Sequence, residues 1–226
     1  VFTVCCIVYV AQYKSFGRIK SPGRVETDPK RQQARFKQGS GMTENRLDKM
    51  EVARRDKWVR NFDPSSYLPG VTCPIMFVNG TNDFAYPLDS YKKCYDLVKD
   101  NKTLCIKVRM PHGHIWTFKE VDAFIDSNLN ATKPLAKVDA LETKDGTAFV
   151  KVYPTIPIKK AMLHYATNEG PWQKRLWESI PATISNDVVS AKLPMGKPLV
   201  YYISLIDERD FEVSSNHLTM PLPTVK

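Results

Sequence analysis

The chain has 226 residues, enough for one large or two small domains with a proper core, and its 42% apolar and 11% aromatic content argues for a globular protein. The net charge of +9 is uneven: residues 1–41 hold eight Lys/Arg and two acids, +6 of the total, which leaves only +3 for the other 185. An ordinary mixed surface therefore covers the folded part, and a nucleic-acid role would rest on the basic tail alone, so no nucleic-acid partner is expected.

Val1 to Tyr13 is apolar but shorter than the roughly 20 residues that span a bilayer, and it lacks the charged lead-in and cleavage site of an export signal. Two readings stand for it: a buried strand at Val4–Val10, or the remnant of an export signal or anchor. Lys14 to Gly41 is polar, basic and broken by Ser21-Pro22-Gly23 and Gly39-Ser40-Gly41, so residues 1–41 close as a linker or disordered tail. Thr43 caps a helix with apolar members Leu47, Met50 and Val52 or Ala53. Trp58, Val59, Phe62 and Tyr67 then lead into a loop set by Pro64, Pro69 and Gly70.

The most informative stretch runs from Cys73 to Leu129. Pro74 to Val78 is a short apolar run ended by Asn79-Gly80, the pattern of a strand buried on both faces, with Asp83 three residues beyond. Tyr91, Cys94, Tyr95 and Val98 share one helical face. Leu104, Ile106, Val108 and Met110 alternate with polar or small neighbours, giving a second strand that ends at Pro111-His112-Gly113-His114. Val121, Phe124, Ile125 and Leu129 form a final amphipathic helix.

From Ala131 the helical period stops. Short runs at Val138–Leu141, Ala148–Tyr153, Ala161–Ala166, Leu176–Ile180, Val188–Leu193 and Leu199–Ile206 alternate with Gly, Asn and Asp turn signals, which predicts a small β-sandwich over 131–226. The boundary falls at Asn130–Pro134. The last runs resemble the final strands of a fibronectin- or immunoglobulin-like module.

An acid after one strand and a histidine after the next are two parts of a hydrolytic triad, placed where functional residues of parallel sheets collect. In this, "NGTNDFAYP" and "MPHGHIW" resemble the C-terminal half of an α/β-hydrolase of the acetyl xylan esterase or dienelactone hydrolase type, over roughly Trp58 to Leu129. The resemblance implies an α/β fold for 42–130, the C-terminal portion of a parallel hydrolase sheet. It also implies Asp83 as the acid and His114, preceded by Gly113, as the base. His112 is the alternative base or a loop-steadying group, and Asp83 as a simple turn cap is the plain reading beside its catalytic one.

The nucleophile is missing. No G-x-S-x-G elbow precedes Asp83, and only 72 residues precede Cys73, whereas five strands with their helices need more than about 100. The expectation is the C-terminal region of a serine ester hydrolase, inactive alone, whose full-length parent takes a small-molecule or carbohydrate ester. A prolyl-oligopeptidase-like peptidase fragment and a non-catalytic binding module derived from a hydrolase are the alternatives. Cys5, Cys6, Cys73, Cys94 and Cys105 form no CxxC pair and no metal spacing with the four histidines, so neither metal nor cofactor is expected. His164 and His217 read as strand or loop residues. Trp116 and Phe118 read as pocket lining or core, and Trp172 and Trp177 as sandwich core or a carbohydrate-binding surface. Export to periplasm or exterior is implied only by related hydrolases with sandwich tails.

Overall fold

The computed structural model describes residues 51–84, 86–110, 112, 119–194 and 199–220. Helix α1 (Val52–Phe62) starts where the Glu51 carboxylate accepts the N–H groups of Ala53 and Arg54, at 3.0 and 3.2 Å. It carries Trp58, Val59 and Phe62. The predicted helix start at Thr43 to Met50 lies outside the described residues. Two 3-10 turns, Pro64–Ser66 and Leu68–Gly70, then lead into β1 (Ile75–Gly80).

Strand β1 pairs in parallel with β2 (Lys102–Lys107), with Phe77 opposite Leu104 and Gly80 opposite Lys107. Between them runs α2 (Leu88–Tyr95), and α3 (Lys119–Leu129) follows β2. All six residues of β1 are buried because its faces pack differently. Ile75 and Phe77 meet Tyr91, Tyr95 and Val98 from α2 and its end, and Met76 and Val78 join Phe124 of α3 and the main core.

The remaining strands are antiparallel. They are β3 (Lys137–Val138), β4 (Glu142–Lys144), β5 (Thr147–Tyr153), β6 (Ile158–Ala166), β7 (Trp177–Pro181), β8 (Thr183–Ser185), β9 (Val188–Lys192), β10 (Leu199–Asp207), β11 (Glu212–Ser214) and β12 (Leu218–Met220). They build two sheets. The larger runs β1-β2-β11-β10-β6-β7 with β12 also on β10, and the smaller runs β3-β5-β9-β8 with β4 also on β5. The main core lies between the sheets and holds Val150, Val152 and Val189 together with Leu163, Ile203 and Leu205. The turns fall where glycine, asparagine and aspartate tolerate left-handed backbone, at Asp145-Gly146, Gly170, Asn186 and Asp210.

This arrangement corrects the expected fold class. The described residues are predominantly β with few helices and do not form the end of a parallel α/β-hydrolase sheet. β2 abuts the antiparallel strand β11 through one pair, Ser214 opposite Leu104, so a parallel pair and an antiparallel sheet share one layer across residues 130–134. The misreading has a physical origin. A continuous apolar run signals burial on both faces, and α2 over one face with α3 and the main core over the other satisfy that as well as two helical layers do. No helix among the described residues is long and apolar enough to cross a membrane.

Candidate functional site at the exit of the parallel strands

β1 and β2 leave the sheet at the same rim, and their exits are laced together. Gly80 allows this approach: a Cβ there would stand 2.2 Å from the carbonyl oxygen of Met110. The Thr81 N–H donates to Lys107 O at 2.9 Å. The Thr81 hydroxyl donates to Asn82 Oδ1 at 2.8 Å and accepts the N–H of Arg109 at 2.9 Å. Arg109 itself turns the chain with φ of 54°. Beneath, buried Asn79 accepts the Gly80 N–H and donates to Tyr86 O, fixing the other end of the turn.

These contacts bring Asp83 and His112 together. Oδ2 of Asp83 lies 2.9 Å from Nδ1 of His112, and Oδ1 accepts the N–H of Tyr86 at 2.9 Å. One oxygen caps the turn and the other holds the ring. A carboxylate only accepts, so Nδ1 carries the proton that lies between them. The Asp83 side chain is 1% exposed and that of His112 17%, which leaves the imidazole as the reachable member. Phe84 and Tyr86 meet the imidazole with ring centroids 5.0 and 5.1 Å away. Burial, with the Asp83 charge added, raises the Tyr86 phenol above its ordinary pKa.

His114, the base implied by the resemblance, lies outside the described residues, as do Trp116 and Phe118. Among those described, no group of His, Cys, Asp or Glu gathers in a way that holds a metal ion. A cleft of about 390 Å³ lies at the opposite rim, by the start of β2, lined by Leu104, Phe124, Asn128 and Asn216. The chemistry and this space are therefore apart.

Two histidine networks escaped the sequence reading. His164 on β6 holds Ser179 of β7 with Nδ1 at 2.7 Å and Ser204 of β10 with Nε2 at 2.8 Å. His217 is 2% exposed, and its Nδ1 lies 3.0 Å from the Tyr95 hydroxyl in a hydrogen bond. Neither carries a sequence signal, because Ser179 and Ser204 meet His164 only through the pairing of β6 with β7 and β10, and Tyr95 meets His217 only in the fold. Of the two tryptophans read as core or sugar surface, Trp177 is buried against Tyr202, and Trp172 is half-buried against His217.

The fold and the site define a mostly β, two-sheet protein with a carboxylate–imidazole pair on its short parallel ribbon. The chain belongs to the PhoPQ-activated pathogenicity-related protein family, whose family model matches residues 40–198. None of the curated proteins matches it. Among solved structures it is similar to a bromine derivative of BhCBM56, with a TM-score of 0.26 and 15% identity, over 40% of this chain and 95% of that one. It is also similar to the pectate lyase PelI from Erwinia chrysanthemi with tetragalacturonic acid, at 0.25 and 16%, over 38% of this chain and 28% of that one. A third, the spore cortex lytic enzyme SleM of Clostridium perfringens, scores 0.21 at 14% identity, over 79% of this chain and 65% of that one. Scores at this level carry no argument about fold or ligand.

Family membership corrects the expected identity and function. The matching family is the PhoPQ-activated one and not an acetyl xylan esterase or dienelactone hydrolase, and the sheet is mostly antiparallel. The serine ester hydrolase reading falls with it, as do the peptidase and hydrolase-derived binding-module alternatives. Strand–acid–helix–strand–histidine is a local pattern, and it fixes neither the rest of a sheet nor a reaction.

Proposed function

We propose that Asp83 and His112 form a general acid–base site, with Asp83 holding the imidazole in its Nδ1–H tautomer and Nε2 exchanging a proton with a small polar ligand. The observation that supports this reading is the 2.9 Å contact between a buried carboxylate and a reachable imidazole beyond the carboxyl ends of two parallel strands. A base must be reachable and its orienting acid need not be, which is the distribution of exposure at this pair. The family's description names no reaction, so the proposal is one of proton transfer, with residues 42–130 carrying the site and 131–226 supporting it.

His114, two residues beyond and preceded by Gly113, is the second reading for the base. Imidazole NMR with ¹⁵N-labelled protein, assigned through His112→Gln and His114→Gln, separates the two. The ring of residue 112 should show the Nδ1–H tautomer and shift in Asp83→Asn. If its proton sits on Nε2, or if Asp83→Asn moves only the His114 signals, His112 is not the base.

A further inference from the structure

Beyond β6 the chain passes over the Asp83 turn in the stretch Gly170–Leu176, and the turn pins it there. Asn82 donates through Nδ2 to the carbonyls of Arg175 and Gln173, at 2.8 and 3.2 Å. Arg175 follows the 3-10 turn Trp172–Lys174 in extended backbone, with φ of −66° and ψ of 139°. Its guanidinium lies flat enough on the Trp172 indole to bring Cζ 3.9 Å from the ring centroid.

The guanidinium has no salt-bridge partner among the described residues, and Asp89 and Glu169 act on it only at Coulombic range. Its Nε is buried without a hydrogen-bond partner. Two residues on, and so on the same side of an extended chain, the buried indole N–H of Trp177 also has none. A planar fork held against an aromatic plate is built for two-point contact with a carboxylate or phosphate, and buried donors in a native fold ordinarily have an acceptor.

We propose that Arg175, backed by Trp172 and pinned by Asn82, is the anchor of an anion-binding site that takes a carboxylate or phosphate group. The two Nη groups donate to two oxygens of the anion, while the indole fixes the plane of the fork. Lys174, exposed beside it, adds positive charge to the approach. The site stands on its own, whether or not Asp83 and His112 move protons.

The test is a titration of the full chain with inorganic phosphate and with acetate, read by tryptophan emission, with chloride at matched ionic strength as the control. Saturable changes beyond chloride are expected, weakened at least tenfold in Arg175→Ala. Arg175→Lys keeps the charge and loses the fork, so it should retain folding, checked by far-ultraviolet circular dichroism, and still bind several-fold more weakly. Responses to phosphate and acetate no larger than to chloride overturn the proposal. So do equal affinities in the wild type and the folded lysine variant, because a point charge would then serve as well as the fork.

Discussion

The Tyr95 hydroxyl and Nδ1 of His217 share a buried hydrogen bond of 3.0 Å across 122 residues of sequence. The same hydroxyl oxygen faces the backbone N–H of His217 at 3.4 Å, so helix α2 and the strand-end segment after β11 are tied at one point. Burial holds this ring in its neutral form. Burial, reinforced by Lys92 and Arg175, lowers His217 from 6.5 to about 3, and burial with Lys160 lowers His164 from 6.5 to about 4.

Both shifts make stability depend on acid in one direction. Above pH 6.5 the two histidines are neutral, folded or unfolded, and their contribution is fully present. As pH falls below 6.5 the unfolded chain takes up protons that the folded one refuses, so stability drops until about pH 4 for His164 and about pH 3 for His217. Each ring contributes a slope of at most about 1.4 kcal/mol per pH unit. Urea midpoints from pH 7 to 4 should fall in the wild type and flatten in His217→Gln; an unchanged slope would remove His217 from this role.

Gly80 separates a steric requirement from mere conservatism of size. A methyl group there meets backbone, which cannot swing aside, so Gly80→Ala should destabilise by about 1–3 kcal/mol or more. Gly70 has open space around its would-be Cβ, and Gly70→Ala should be near neutral. Chemical denaturation of the two variants side by side checks the contrast.

Lys107 stands between Glu120 of α3 and Glu212 of β11, at 2.6 and 3.3 Å. Glu120 is buried and also accepts the N–H of Glu212. Lys107→Met strands two carboxylates, and the loss should approach the lower end of the about 3–5 kcal/mol seen for breaking buried pairs, since Lys107 keeps some solvent contact. Lys107→Arg should recover most of it. Equal urea midpoints for the methionine variant and the wild type would show the triad to be energetically idle.

Asp83→Ala removes the acceptor of the Tyr86 N–H together with the partner of His112. The cost of an orphaned, partly buried donor is about 1–3 kcal/mol. Asp83→Asn keeps an acceptor for Tyr86 and should lose less. A thermal-melt series in which the two variants fall equally would mean that Tyr86 finds another acceptor.

Local structure was largely legible in the sequence. The helical face of Tyr91, Cys94 and Tyr95, the face of Phe124, and the strands around Ala148–Tyr153, Ala161–Ala166 and Val188–Lys192 follow from period and turn chemistry, which act over a few residues. What the sequence did not disclose was partnership. Nothing in Leu104 says that its neighbour is Ser214, and nothing in Asn82 points to Arg175; both contacts span about half the chain. Asp83 stood out because a polar residue follows an apolar strand, yet its contact with His112 depends on how the two strand exits are laced together.

The single Ser214–Leu104 pairing has a mechanical corollary. Ser214 Oγ accepts the N–H of Ile106, and Ser215 Oγ accepts that of Ile203, each at 3.0 Å. Two hydroxyls thus do the work of ladder carbonyls where the layer changes direction. Force applied between Ile75 and Leu205 would meet its weakest stitch there, and replacing both serines with alanine would let the two-strand ribbon peel away before either sheet frayed.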